Sequence, residues 1–125
     1  MLGNEHPDVA TSYNNIGAVY DSQGDYSKAL EFHQKALKIR IKVLGIEHPN
    51  VADSYNNIGL VYDSQGDYSN ALKYLHKALN IRKKVLGDNH PGTLKIFNAI
   101  ESIIKYNSSY STLSQNSVIP AKDWN

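Results

Sequence analysis

The chain has no cysteine, and only one methionine and one tryptophan, in 125 residues. Without thiols there is no disulfide, no thiolate metal ligand and no cysteine nucleophile. Long apolar runs are also missing: none approaches the roughly 18 residues that a membrane span needs, and no signal-peptide pattern stands out, so no membrane is expected as a partner. Net charge is nearly absent. Thirteen Lys and Arg against twelve Asp and Glu leave +1, too weak a field to gather nucleic acid or anionic lipid. What remains is 41% hydrophobic, which predicts a folded chain of single-domain size.

The sequence then repeats itself. Residues 6–47 and 48–89 align without a gap and are identical at 30 of 42 positions. A third unit opens at His90-Pro91 and keeps its pattern through Ile104. Self-similarity at a fixed period is the mark of a solenoid, in which each unit buries its apolar face only against its neighbours.

Each unit holds two apolar stripes at helical spacing. Tyr13, Ile16, Gly17 and Tyr20 make the first. The second runs through Ala29, Leu30, His33, Ala36, Leu37, Arg40 and Leu44, with His33 and Arg40 as polar interruptions. Helices are therefore predicted near 7–22 and 27–44, and again 42 residues on. Pro7, Pro49 and Pro91 suit a first helical turn, Gly24 and Gly66 a left-handed stop, and Asp25 and Asp67 the cap of the next helix. Gly17 and Ala36 are small enough to let paired helices approach closely.

The strings Tyr13-x-x-Ile16-Gly17-x-x-Tyr20 and Tyr55-x-x-Ile58-Gly59-x-x-Tyr62, each followed by Ala29 or Ala71, resemble the tetratricopeptide repeat. The 42-residue period exceeds the usual 34 by about two helical turns. This long form is similar to the repeats of kinesin light chains, and the likeness covers residues 2 to about 104. It implies an all-α solenoid, two full repeats and a partial third in a right-handed superhelix. It also implies a non-enzymatic adaptor or scaffold in the cytoplasm, similar to a kinesin light chain. HEAT or armadillo repeats, of similar period, do not account for the Gly17, Tyr20, Gly24, Ala29 series.

Other candidate chemistries have simpler readings. His6, His48 and His90 open successive helices, and equivalent positions should lie up to about 20 Å apart, too far to share a metal ion. They read as caps, and no metal or cofactor is expected. No Ser, Asp or Glu is fixed by a motif beside His33 or His76, so no catalytic residue is assigned. The tyrosines at 13, 20, 26, 55, 62 and 68 could stack bases, but with neutral charge they read as core. Lys35, Lys38, Arg40 and Lys42, with Lys77, Arg82, Lys83 and Lys84, read as cations on the solvated face and negative end of the second helices. Asn107-Ser108-Ser109 is a formal glycosylation sequon.

The face of the first helix opposite its stripe carries Thr11, Asn14, Asn15 and Ala18 in unit one. Unit two offers Asp53, Asn56, Asn57 and Leu60 there, and the third unit Lys95 and Asn98. First helices line the concave surface of tetratricopeptide arrays, so the resemblance makes these ten residues the candidate groove for an extended peptide. Consecutive asparagines disfavour a helix, yet an amide can both donate to and accept from a peptide backbone. In the family's carboxylate clamp, Lys, Asn and Arg side chains hold a terminal carboxylate; Asn57 and Lys95 fall on that pattern, while Asn14, Ala18 and Ala99 depart from it.

The expected organisation is a remnant of a preceding repeat at 1–5, repeats at 6–47 and 48–89, a partial repeat at 90–105 and a polar tail at 106–125. Two and a half units fall short of the three that independent stability requires, so exposed repeat ends are candidate surfaces for self-association. The alternative function is structural: assembly with other repeats, the groove unused.

Overall fold

In the computed structural model, residues 5–107 are described. They form five helices: α1 (Pro7–Ser22), α2 (Tyr26–Leu44), α3 (Pro49–Gln65), α4 (Tyr68–Leu86) and α5 (Pro91–Tyr106). No strand occurs among the described residues. Extensive packing runs only between consecutive helices, the arrangement of a stack whose units touch their neighbours alone. The expected tail lies outside the described residues beyond Asn107, and with it the sequon's serines.

Local signals set the helix ends. The imidazole Nδ1 of His6, His48 and His90 accepts a hydrogen bond from the backbone N–H two residues on, at 3.0, 3.0 and 2.9 Å. Each histidine caps a helix that starts on proline, where no N–H is lost. Asp25 and Asp67 cap α2 and α4 by accepting from Lys28 and Asn70 N–H at 3.2 Å. Gly24 and Gly66 turn the chain at φ of 79° and 81°, a region that costs other residues about 1–2 kcal/mol.

Inside each hairpin one side chain of the second helix fills a notch in the first. Leu75 sits on Gly59 so closely that an added Cβ there would lie 2.8 Å from Leu75 Cγ and 3.1 Å from the Ala71 carbonyl. In the first hairpin His33 takes Leu75's place over Gly17. Four tyrosines of the first helices pack against a ring from the second helix. Tyr20 stacks on Phe32 at 5.6 Å and Tyr13 tilts against it at 5.9 Å; Tyr62 and Tyr55 repeat this on Tyr74 at 5.6 and 6.1 Å. These four rings are engaged in packing within their hairpins.

The core is continuous from α3 to α5, with Val51, Leu75, Ile96 and Ile100 buried. One expected core residue is an exception. Ile16 is 40% exposed, whereas Ile58, its counterpart 42 residues on, is fully buried. Ile58 lies in the middle of the stack, while α1 packs extensively against α2 alone.

Candidate functional site

Helices α1, α3 and α5 carry the candidate groove residues, and a cleft of about 310 Å³ opens among them. Its walls include Asn14, Asp53, Asn56, Asn57 and Lys95, together with Arg40 and Arg82. Half of the ten expected residues thus meet in one place. The others do not line it. Thr11 donates from its hydroxyl to the Pro7 carbonyl, and Asn15, Ala18 and Asn98 lie exposed along their helices. Leu60 borders a separate hollow further along α3, near Asp63, Tyr68 and Tyr106.

The two arginines are the residues that sequence reasoning misplaced. Arg40 is not on a solvated face but 8% exposed, and its pKa is lowered by burial. Its Nη1 donates to the Asn50 carbonyl at 3.1 Å and to Ser54 Oγ at 3.0 Å. Asn14 completes the set. With the amide oriented by its neighbours, its NH2 donates to His33 Nδ1 at 2.9 Å and its carbonyl accepts from Arg40 at 2.8 Å. His33 is therefore neutral with its proton on Nε2; burial lowers its pKa, opposed by Asp21 and reinforced by Arg40. Asn14 is a bridge within the protein and not a free hand for a ligand.

Arg82 stands 42 residues after Arg40 but is held differently. At the positions equivalent to Asn50 and Ser54 it meets Gly92 and Ile96, and Ile96 has no hydroxyl to offer. Asp53 on α3, where α1 has Thr11, supplies a carboxylate instead, and Arg82 forms an ion pair with it. Its side chain stays partly exposed at 17%, with a pKa lowered by burial. Two substitutions, Thr11 against Asp53 and Ser54 against Ile96, thus accompany one arginine held as a buried brace and the other left partly exposed and paired with a carboxylate. The cleft combines Arg82 and exposed Lys95 with the half-buried amides of Asn56 and Asn57. Chemically it offers cationic N–H donors, partly countered by Asp53, beside groups that pair with a peptide backbone.

The tetratricopeptide repeat profile matches residues 8–83 and 50–102. The chain belongs to the tetratricopeptide repeat family. Among solved structures it is similar to BtubC (BKLC) from P. vanneervenii, with a TM-score of 0.73 at 24% identity over 82% of this chain. A putative kinesin light chain with nearly identical repeats from Podosopora anserina gives 0.72 at 20% identity over 97% of it. The chain spans 41% and 62% of the length of those two proteins, and likeness at such identity speaks for the fold. No curated protein matches the sequence significantly.

Within a tetratricopeptide repeat stack, a signal for the arginines was present. Arg40 and Arg82 fall in register with Ala29, Ala36 and Leu37, on the stripe that faces inward. A cation on an inward stripe requires acceptors nearby, and the polar residues at 14, 53 and 54 could have been paired with it.

Proposed function

We infer that this chain takes part in protein–protein interaction, which repeats of its family generally mediate; no helix among the described residues is long and apolar enough to cross a membrane. We propose that this chain is a non-catalytic cytoplasmic adaptor that holds an extended peptide of a partner protein, in the manner of a kinesin light chain, along α1, α3 and α5. A carboxylate of the peptide sits between Lys95 and Arg82, while the amides of Asn56 and Asn57 pair with its backbone. The observation that carries this reading is the convergence of Arg82, Lys95, Asn56 and Asn57 on one cleft. Asp53 acts as an internal stand-in that an incoming acidic group displaces from Arg82. Arg40, Asn14 and His33 hold the wall behind it.

Panning a random peptide display library on the full chain tests this. Peptides enriched in Asp or Glu are expected, with binding lost on Lys95→Glu and weakened at least tenfold on Asn57→Ala while helicity is unchanged. Ligands without acidic residues, or binding indifferent to both substitutions, refute the groove and favour the structural reading of the chain.

A further inference from the structure

The hollow that Leu60 borders lies between the C-terminal halves of α3 and α5 and measures about 310 Å³. Its walls include the apolar side chains of Leu60, Ala99 and Ile103, beside the exposed ring of Tyr106. Here α5 departs from the helix before it. Where α3 has Asn57 and Ser64, α5 has Ala99 and Tyr106, so a methyl group and an aromatic ring replace two polar side chains.

Asp63 is the charged residue in this wall. Its carboxylate pairs with no cation among the described residues, and burial raises its pKa. The helix field is also against it. Asp63 lies in the last turn of α3, where there is no basic residue, and the hollow reaches the end of α5 at Tyr106. Helix C-termini carry partial negative charge on their free carbonyls, which disfavours a carboxylate and favours a cation. Lys105, in the last turn of α5, lies over the Tyr106 ring instead, with Nζ 5.3 Å from its centroid. The first repeat keeps the same acid in another setting: Asp21 acts on the His33 imidazole, opposing the fall of its pKa. In the second repeat Leu75 stands in place of His33, and Asp63 has no ring to act on.

We propose that the hollow takes a Lys or Arg side chain of the bound peptide, with its stem along Leu60, Ala99 and Ile103 and its charged head on the Asp63 carboxylate. This rests on the groove reading above, in which the same peptide places a carboxylate between Lys95 and Arg82. Cleft and hollow share α3 and α5 as walls. Seven residues of helix separate Asn56 from Asp63 and Lys95 from Ser102, about 10 Å along the axes, a distance that three or four extended residues cover. The groove is therefore bipolar. The partner that fits it presents an acidic and a basic residue three or four positions apart.

The test pans the random peptide library on the full chain and on its Asp63→Asn variant. On the native chain the enriched peptides should carry Lys or Arg three or four residues from their Asp or Glu. On Asp63→Asn the acidic residue should persist while the basic one falls to its frequency in the library. A selected peptide should bind Asp63→Asn about tenfold more weakly in fluorescence anisotropy, and a version with methionine in place of its basic residue should bind both chains alike. Asn matches Asp in shape and suits a helix C-terminus better, so the melting midpoint of Asp63→Asn should be no lower than that of the native chain. Acidic enrichment without basic enrichment overturns the hollow and leaves the cleft standing; no acidic enrichment refutes the cleft, and this proposal falls with it. Equal binding of the selected peptide to both chains, or a lowered midpoint, overturns it as well, since the carboxylate then serves the fold. So does binding that tightens on Lys122→Ala, because the chain's own lysine is then the occupant.

Discussion

Replacing Arg40 by alanine tests the central polar brace most directly. Two effects oppose each other: losing the guanidinium relieves the cost of burying a charge, while Ser54 Oγ and the Asn50 carbonyl lose their donor and the arginine stem leaves a void. Ser54 is completely buried, so no solvent replaces the donor. Hydrogen bonds to charged groups contribute about 1.5–3 kcal/mol each, and an orphaned buried acceptor costs about 1–3 kcal/mol. Allowing for the relieved desolvation, the net loss is about 3 kcal/mol, or roughly 10 °C in the melting midpoint of a domain this size. Urea titration followed at 222 nm measures it, with exposed Lys38→Ala as control, expected within about 0.5 kcal/mol. Arg40→Met restores volume but leaves Ser54 unpaired, so it should fall between the two. Adding Ser54→Ala to Arg40→Met should recover part of the loss, because the buried hydroxyl is then gone while the Asn50 and Asn14 carbonyls still lack the guanidinium. If Arg40→Ala costs no more than Lys38→Ala, the brace contributes nothing and the reasoning fails.

Further outcomes follow from the same geometry. Gly59→Ala should destabilise by about 2 kcal/mol in the same titration, since the new Cβ meets backbone as well as Leu75; Gly17→Ala, whose new Cβ has atoms of the His33 ring as its nearest neighbours, should cost less. Burial lowers the His76 pKa to about 4 from 6.5, so the folded state binds its proton less readily than the unfolded chain. That contribution is complete above about pH 6.5 and is lost as pH falls towards 4. The difference in urea midpoint between the native chain and His76→Gln, the residue found at the equivalent position 34, should therefore shrink or reverse over that interval. A difference that stays constant with pH excludes the effect. Peptide binding in the cleft should weaken as salt rises from 50 to 500 mM, measured by anisotropy; salt-independent affinity argues against Lys95 and Arg82.

The sequence carried most of the fold because each helix end is a local matter. His-Pro, Gly-Asp and the spacing of small and aromatic residues act within a few positions of themselves. The direction of Arg40 could not be read this way, since it depends on which residues of α3 stand opposite, ten and fourteen positions on. Nor could the exposure of Ile16, whose sequence neighbourhood matches that of Ile58 but whose spatial neighbourhood does not. The candidate groove was half visible for the same reason. Register placed Asn56, Asn57 and Lys95 on one face, yet Asn14, in register with Asn56, is tied up by His33 and Arg40. The one-residue difference of Leu75 for His33 removes the ring that oriented it.

Packing confined to successive helices also has a mechanical side. A globule whose distant segments interlock resists stretching until it breaks at once, but here, among the described residues, extensive contacts join only successive helices. Tension applied along the array is borne by one interface after another, each able to slide or part while the rest hold. Every 42-residue unit that comes undone releases at most about 140–150 Å of chain. An array built this way yields to a pull in steps and lengthens as a spring.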